Sequence, residues 1–350
     1  MRLSFFLLFG LLFNGISPVT GSILYNVTDL GTLGGSTYNV GKGINNAGQV
    51  TGTSAQAFLY TDGQGLSAIG GPSSRGYGIN NAGQVVGSSN GRGFLYSNGQ
   101  TTDLLPSGGT PFSINDSGQV TGSYASNGIS HAFIYSNGQI IDLGTLGGTS
   151  SIGFSINNAG QVTGESKTAD NITQAFLYSD GQMKSLGSLG GGSSSGHGIN
   201  AAGQVTGSSY TSPNAHLHAF LYSDGQMKDL DPSANYFFSE GLAINNLGQV
   251  VGDLTSRPTS HAFVYRGGQI LDLNDVIDPT LGLTLTEATA INDRGQIVAD
   301  SYYIEGGASR VYLLTPVPDA TVPEPGTLAV CAAALLLLGG GTLRRVRQRV

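Results

Sequence analysis

The stretch GINAAGQVTG at residues 198–207 is one copy of a pattern that runs through the chain and predicts its architecture. The pattern, (Gly/Ala/Ser)-Ile-Asn-x-x-Gly-Gln-(Val/Ile)-x-(Gly/Ala), occurs seven times at intervals of 35 to 47 residues. Its isoleucines are Ile44, Ile79, Ile114, Ile156, Ile199, Ile244 and Ile291. Repeats of this length are typical of chains built from similar structural units that stack on one another.

Each repeat predicts four short β-strands. The stretch that ends at the isoleucine is the first strand, and Asn-x-x-Gly makes a tight turn into the second because Asn and Gly tolerate positive φ. An aromatic third strand follows, such as AFLY at residues 219–222. Ser-Asp-Gly-Gln or Ser-Asn-Gly-Gln is then a strong hairpin signal that leads into the fourth strand. The third-strand phenylalanines are Phe58, Phe94, Phe133, Phe176, Phe220 and Phe263, and the seventh copy is the degenerate RVYLL at residues 310–314.

The fourth strands show how the array ends. Only six fourth strands follow the seven repeats, because the last repeat lacks one. A copy of this strand stands instead at the start of the array, where residues 29–35 (DLGTLGG) are identical to residues 142–148. An N-terminal strand that pairs with the last unit would close a ring and protect its sheet edges. We therefore predict an all-β fold, a seven-bladed β-propeller with four strands per blade over residues 22–316. The alternative, a β-solenoid, is disfavoured by the variable unit length and the displaced strand.

The two ends of the chain indicate export. Residues 1–21 predict a signal peptide, with Arg2, an apolar run at residues 3–12 and small residues at 19–21. At the other end, a linker at 317–325 precedes an uncharged apolar segment at 326–343, which is long enough to span a bilayer as a transmembrane helix. A basic tail at 344–350 would stay in the cytoplasm.

The C-terminal end resembles the PEP-CTERM sorting signal of Gram-negative bacteria. Its box is Pro323-Glu324-Pro325, and Arg344 and Arg345 begin the basic tail. The resemblance implies an exosortase-type processing enzyme as a partner. It also implies a transient inner-membrane anchor, followed by release to the cell surface or the extracellular space. The alternative is a simple C-terminal membrane anchor.

The repeat itself resembles the HAF family of bacterial extracellular repeats. The motif His-Ala-Phe occurs at His131, His218 and His261, and the match is weaker where Gly93 or Gln174 departs from it. No biochemical activity is transferred by this resemblance, because the family has none that is assigned to particular residues.

Charge and cysteine content exclude several classes of protein. The chain carries a net charge of −7, and removal of both ends would leave 10 basic against 22 acidic residues, a net charge of −12. Such a product is not expected to bind nucleic acid through its phosphates. Cys331 is the single cysteine, so neither a disulfide framework nor a cysteine zinc cluster is available.

The most regular polar feature is the asparagine after each isoleucine. Because every unit carries it, we predict a structural role in which the side chain caps the turn through local hydrogen bonds. The glutamine four residues later has a donor and an acceptor and could bridge adjacent units. The seven asparagines are Asn45, Asn80, Asn115, Asn157, Asn200, Asn245 and Asn292.

Functional residues are expected where the repetition fails. At 231–240, Tyr236, Phe237 and Phe238 with Glu240 form a candidate carbohydrate-stacking surface, or else a packed strand edge between blades. The insertion at 274–287 contains Asp275 and Asp278, whose carboxylates could hold Ca²⁺, although the spacing is not that of an EF-hand. Otherwise no cofactor is expected.

Three histidines lie close together in the sequence: His197, His216 and His218. They lack an identifiable third ligand for a metal.

No catalytic motif stands out, so three functions remain open. The first is a non-enzymatic surface or matrix protein that binds extracellular polysaccharide or another surface protein. The second is a secreted hydrolase or lyase acting on polysaccharide. It would need two or more acids, or His, Tyr or Arg, to converge at the channel mouth with shifted pKa values. The third is a spacer without a ligand.

Overall fold

A computed structural model describes residues 24–318 apart from 106–107, 127, 213–215, 233–235, 257–258 and 302–307. The predicted signal peptide, the Pro-Glu-Pro box, the apolar segment 326–343 and the basic tail lie outside the described residues. Among the described residues, no helix is long and apolar enough to cross a membrane. The fold is all-β, with two short 3₁₀ turns at Leu273–Asp275 and Pro279–Leu281.

The strands follow the predicted order along the chain. They are β1 (Tyr25–Asp29), β2 (Asn39–Ile44), β3 (Val50–Ser54), β4 (Gln56–Thr61), β5 (Gly65–Ala68), β6 (Arg75–Ile79), β7 (Val85–Ser89), β8 (Arg92–Ser97), β9 (Gln100–Leu105), β10 (Thr110–Ile114), β11 (Val120–Ser126), β12 (Ile129–Ser136), β13 (Gln139–Asp142), β14 (Gly147–Ile156), β15 (Val162–Thr168), β16 (Thr173–Ser179), β17 (Gln182–Gly187), β18 (Ser194–Ile199), β19 (Val205–Tyr210), β20 (Leu217–Ser223), β21 (Gln226–Asp229), β22 (Phe238–Ile244), β23 (Val250–Ser256), β24 (Thr259–Arg266), β25 (Gln269–Asp272), β26 (Glu287–Ile291), β27 (Ile297–Ser301) and β28 (Arg310–Pro316).

Each repeat forms one antiparallel unit, as predicted. Unit 1 is β2–β5, unit 2 is β6–β9, unit 3 is β10–β13 and unit 4 is β14–β17. Unit 5 (β18–β21) and unit 6 (β22–β25) belong to one larger sheet, joined by a single parallel pair between Leu217 and Phe238. Unit 7 supplies β26–β28. The result is a propeller-like series of small twisted sheets.

The N-terminal strand pairs with the last unit, which confirms that prediction. β1 runs antiparallel to β28, with Tyr25 opposite Pro316 and Asp29 opposite Tyr312. Across this pair, Nη1 of Arg310 lies 3.3 Å from Oδ2 of Asp29. The strand therefore occupies the position that the fourth strand takes in the other units.

The apolar core lies between neighbouring units rather than inside any one of them. Ala132 and Ile134 of unit 3, for example, pack with Ile156, Val162 and Phe176 of unit 4. Because each unit buries its apolar face only against the next, no unit has a complete core of its own.

A β-bulge in the first strand shapes the inner end of each unit. The register between the first and second strands shifts just before the isoleucine, between Gly196 and Gly198 in unit 5. The glycine that ends the repeat fits under this bulge, because a Cβ on Gly207 would overlap the carbonyl oxygen of Ser195. The extra residue of the bulge, His197 in this unit, lines a cavity.

Candidate functional site

The repeated asparagines form a continuous hydrogen-bonded ring. In unit 5, Oδ1 of Asn200 accepts from the N–H groups of Ala202 (3.1 Å) and Gln204 (3.0 Å). Its Nδ2 donates to Oε1 of Gln204 (2.7 Å) and to the carbonyl oxygen of Asn245 in the next unit (3.1 Å). The same bond to the next unit runs from Asn45 to Asn80, Asn115, Asn157, Asn200, Asn245, Asn292 and back to Asn45.

The ring confirms one prediction and corrects another. The asparagine caps its own turn, as expected. The expected hydrogen-bonded bridge by glutamine is wrong, because Nε2 of Gln204 donates to Ser223 of its own unit at 3.2 Å. The asparagine makes the bridge instead. Its side chain is short, so the amide oxygen can cap the turn while the amide nitrogen reaches the strand end of the neighbouring unit.

The residue after each asparagine forms a second, exposed layer. Oδ1 of Asp116 accepts from the N–H of Asn81 (2.9 Å), and Oδ2 accepts from Nδ2 of Asn81 (2.9 Å) and Asn158 (2.8 Å). Desolvation raises the pKa of the Asp116 carboxyl, but these hydrogen bonds outweigh it and the pKa lies below its usual value. Both layers line a cavity of about 210 Å³, the amide cavity. Its polar groups mostly satisfy one another.

A second cavity, of about 180 Å³, lies on the other side of the isoleucines. It is lined by the residue two positions before each isoleucine, which is the bulge residue, and we call it the aromatic cavity. These residues are Lys42, Tyr77, Phe112, Phe154, His197, Leu242 and Thr289. The seven positions hold six residue types. The side chain at this position is therefore not repeated, although the backbone bulge that carries it is.

Four rings form an arc around half of the aromatic cavity. The ring centroids are 5.5 Å apart for Tyr77 and Phe112, 5.6 Å for Phe112 and Phe154, and 5.8 Å for Phe154 and His197. The planes are inclined at 55° to 76°, the edge and tilted geometry that aromatic pairs prefer. All four side chains are half-buried.

The other half of the aromatic cavity is lined by Leu242, Thr289 and Lys42, and a group of acidic side chains lies elsewhere on units 6 and 7. Glu240 pairs across the strands with Asp253, and Glu287 pairs with Asp300, so each pair shares one face of its sheet. Oε1 of Glu240 lies 3.5 Å from Nε2 of His197 and accepts from the hydroxyl of Ser208 at 3.0 Å. Glu240 therefore contacts the end of the aromatic arc through His197.

Two of these carboxyl groups have raised pKa values. Burial, and next to it the negative charges of Glu240 and Glu287, raise the pKa of Asp253 to about 7. Burial also raises the pKa of Asp300 well above its usual value, although the N–H of Gly41 donates to its Oδ1 at 3.0 Å. Oδ2 of Asp300 is buried and has no hydrogen-bond partner among the described residues.

A third cavity, of about 310 Å³, is lined by residues of units 4 and 5. Ser195 and Ser208 line it together with Glu165 and the exposed ring of Tyr210. Ser195 also contacts Nε2 of His197 at 3.1 Å, and Ser208 donates to Glu240. Ser195 thus connects the lining of this cavity to His197 of the aromatic cavity, and the third cavity by itself lies at the lower end of the size of common ligand pockets, roughly 300–1,000 Å³.

The predicted stacking surface is divided among different neighbours. Tyr236 packs against the apolar cluster of units 5 and 6. Phe237 contacts Phe238 at 4.5 Å and His216 at 5.2 Å between ring centroids. Phe238 makes the backbone pair that joins the two units, while Glu240 contacts His197 of the aromatic cavity. Sequence reasoning named Glu240 but missed the bulge residues, which only an alignment of the seven units by position reveals.

The other candidate residues have structural partners. Asp278 caps the second 3₁₀ turn through Thr280, and Asp275 lies in the first. Nδ1 of His218 lies 2.8 Å from Oδ2 of Asp229. Among the described residues, no three His, Cys, Asp or Glu side chains are placed to hold a metal ion. A calcium or two-histidine site thus finds no support in this part of the chain.

The histidine of the His-Ala-Phe motif joins the third and fourth strands of its unit. It faces an aspartate eleven residues later, as in His131 and Asp142, which are 2.8 Å apart. The same position carries Arg92 with Asp103 in unit 2 and Gln174 with Ser185 in unit 4. In unit 7 it is Arg310, and its partner is Asp29 of the N-terminal strand.

No protein-family model and no curated protein sequence matches the chain. Among solved structures, it resembles YCF48 bound to D1 peptide at 11% identity, covering 84% of this chain and 97% of that one, with a TM-score of 0.52. It also matches TolB from Acinetobacter baumannii at 12% identity and a TM-score of 0.46, covering 77% of this chain and 60% of TolB. A gluconolactonase from Xanthomonas campestris matches at 12% identity and a TM-score of 0.41, covering 69% and 86%. At such identities the likeness to YCF48 supports the propeller fold and carries nothing about function.

Proposed function

We propose that the chain is a seven-bladed β-propeller with four strands per blade, closed by β1. The asparagine ring supports this, because it returns from Asn292 to Asn45. The core supports it too, since Val298 and Val311 of unit 7 pack with Val50 and Phe58 of unit 1. Closure by β1 fits its pairing with β28 and the Arg310–Asp29 contact.

A permuted chain tests the closure. Deletion of residues 22–30 should abolish folding, because it exposes the edge of β28. Moving residues 24–35 behind residue 318 with a short Gly-Ser linker should restore it, since Tyr25 already lies opposite Pro316 as in a hairpin. Circular dichroism and cooperative urea unfolding measure both. Normal unfolding of the deleted chain, or no rescue by the permuted one, would refute closure by β1.

We propose further that the protein is exported and processed at its C-terminal sorting signal. The support is the sequence of both ends, with the box Pro323-Glu324-Pro325 and the arginines at 344 and 345. Expression in a Gram-negative host with and without an exosortase, followed by fractionation, tests this. Replacement of Pro323 and Pro325 by alanine should leave the chain in the inner membrane, and release of that variant would contradict the proposal.

The aromatic cavity supports a non-enzymatic binding function, and we propose that its ligand is an extracellular saccharide chain. The observation that carries this is the arc of Tyr77, Phe112, Phe154 and His197 in one cavity, with Glu240 beside His197 at its end. Amphipathic rings combine an apolar face with polar neighbours, which suits the apolar faces and hydroxyl groups of sugar rings.

A glycan array probed with the purified full chain, with and without Ca²⁺, tests binding. Phe112→Ala removes the ring that contacts two others, so we expect a loss of about tenfold or more in affinity. Asn158→Ala, on the amide cavity, is the matched control and should bind normally. Equal binding by the Phe112→Ala variant, or no binding of any glycan, would overturn the proposal.

A second candidate function is hydrolysis or elimination in a polysaccharide. It is favoured by Asp253, whose carboxyl group keeps a proton near neutral pH beside Glu240 and Glu287. Acid–base catalysis needs such a group near ionised neighbours. Release of reducing ends or unsaturated products that is lost in Asp253→Asn would establish it, and no release from any bound glycan would exclude it for those glycans.

A further inference from the structure

The lining of the aromatic cavity indicates which saccharide it takes. The described residues that line it include no aspartate or glutamate, and the basic ones are Lys42 and His197. By contrast, Asp116 and Asp293 line the amide cavity, and Glu165 lines the third cavity. Resting on the binding function proposed above, we infer that the saccharide carries a carboxylate, as a uronic acid does, and that Lys42 binds this group. This assigns a charge to the ligand, which the binding function alone does not.

The first argument is that the ammonium group of Lys42 has no partner in the described part of the chain. The side chain is exposed at the cavity and makes neither a hydrogen bond nor an ion pair with any described residue. Lys228, in comparison, donates to the hydroxyl of Tyr265 at 3.0 Å. An ammonium group has three donors and no acceptor, and its strongest hydrogen bonds are those to an ionised acceptor such as a carboxylate.

The second argument is that the acid which acts on Lys42 is held away from it. Asp300 is fully buried, and its Oδ1 accepts from the N–H of Gly41 at 3.0 Å. The charge of Lys42 influences this carboxyl group without an ion-pair contact. Burial raises the pKa of Asp300 well above its usual value, which favours the uncharged form of the carboxyl group. The positive charge of Lys42 is therefore available to a ligand.

The third argument is the place of Lys42 beside the aromatic arc. Lys42 is the bulge residue of unit 1, since the register shifts between Gly41 and Gly43. Unit 2 contributes Tyr77, the first ring of the arc, and the two units touch here, because a Cβ on Gly43 would lie 3.2 Å from the carbonyl oxygen of Tyr77. A cation next to a row of rings suits a sugar that has an apolar face and a charged substituent.

The histidine at the other end of the arc already has partners. Nε2 of His197 lies 3.1 Å from Oγ of Ser195 and 3.5 Å from Oε1 of Glu240. Its Nδ1 lies 3.2 Å from the carbonyl oxygen of Gly241. A carboxylate placed at this end would also meet the negative charge of Glu240. The carboxylate is therefore assigned to Lys42, and the rest of the saccharide extends from there along the rings.

Calorimetry with two tetrasaccharides that differ in charge tests the inference. Purified full-length protein in mild detergent is titrated at neutral pH with the tetramer of galacturonic acid and with its fully methyl-esterified form, in which the same sugar rings carry no charge. We expect the acid to bind at least about tenfold more tightly than the ester, because only the acid forms a charge-assisted hydrogen bond with the ammonium group.

Three variants complete the test. In Lys42→Met the preference for the acid should shrink below about threefold, and Lys42→Arg should keep it because the guanidinium group carries the same charge. Lys184→Met removes an exposed lysine from the outer strand of unit 4 and should also keep the preference.

The outcomes separate this inference from the proposed function. Equal affinity for the acid and the ester, or a preference that is unchanged in Lys42→Met, would overturn the carboxylate inference and leave saccharide binding intact. Binding of other glycans on the array but of neither tetramer would have the same meaning. Failure of every glycan to bind would overturn both.

Discussion

The amide cavity and the aromatic cavity meet at the same seven isoleucines but use their neighbouring residues in opposite ways. The residue after each isoleucine is always asparagine, and its side chain forms hydrogen bonds that join one unit to the next. The residue two positions before varies from Lys42 to Leu242, and four of the seven side chains at this position form the aromatic arc. One side of the ring joins the units to one another, and the other is the side where we propose that a ligand binds.

The backbone explains why variation is tolerated on one side. The asparagine lies where the strand ends touch, so each must both cap its own turn and donate to the next unit. The bulge residue is the one extra residue of the first strand, and its contacts with the next unit differ from unit to unit: Nδ1 of His197 lies 3.2 Å from the carbonyl oxygen of Gly241, whereas the side chain of Leu242 has no polar atom. Its side chain is therefore free to differ between units.

The largest expected effect is on the assembly side. Asn200→Ala removes four hydrogen bonds and leaves the carbonyl oxygen of Asn245 and two turn N–H groups without their partner. At roughly 1 kcal/mol or more for each buried group, we expect a loss of about 4 kcal/mol in the free energy of unfolding. Urea unfolding of the full chain measures it.

Asn158→Ala is the control, because the equivalent position already holds Ala201 in unit 5. We expect a loss of under about 1 kcal/mol from this exposed site. If both variants lost the same free energy of unfolding, the asparagine ring would contribute no more to stability than the exposed layer does. The contrast between the two cavities would then fail.

The fold was predictable because every unit repeats the signals that build it. The duplicated DLGTLGG revealed that the N-terminal strand belongs to the last unit, and Asp29 indeed faces Arg310 as Asp142 faces His131. The bridge by asparagine was not predictable, since both Asn and Gln carry a suitable amide and only the geometry of neighbouring strand ends separates them.

The aromatic cavity was not predictable for a different reason. Its residues lie in seven places 35 to 47 positions apart, and each looks like ordinary variation within a repeat. In the sequence, the visible departures from the repeat are loops of unusual length, and these contain Tyr236 and Phe237. The repetition fails instead at the bulge position, where the side chain differs between units although its place in the strand is the same. The bulge is needed to turn that side chain inward.

The second prediction concerns the stability of the aromatic-cavity side against pH. Asp253 has a raised pKa, about 7, in the folded chain, so the folded state holds a proton that the unfolded state releases from about pH 4. Its contribution is complete below the unfolded pKa and is lost as pH rises through 7. Asp253→Asn should therefore match the wild type at pH 4 and exceed its free energy of unfolding by roughly 2 kcal/mol at pH 8.

Urea unfolding at pH 4, 6 and 8 measures this difference. Glu165→Gln, an acid beside the third cavity, is the control and should run parallel to the wild type. A difference in the free energy of unfolding between the variant and the wild type that stays the same from pH 4 to pH 8 would show that Asp253 is not held in its protonated form.

The smallest effect is expected at the amide cavity and has the opposite sign. Hydrogen bonds from Asn81 and Asn158 overcome desolvation and keep the pKa of Asp116 below its usual value, so its contribution is present above about pH 4 and is lost as pH falls through the folded pKa. Asp116→Asn should cost under about 1 kcal/mol at pH 7, because the group is exposed, and nothing near pH 2. Measured in the same urea series, the two aspartate variants should thus change stability in opposite directions at neutral pH. If both variants changed the free energy of unfolding in the same direction, Asp253 and Asp116 would have similar electrostatic environments. The proposed division of the ring into an assembly side and a ligand-binding side would then have no electrostatic basis.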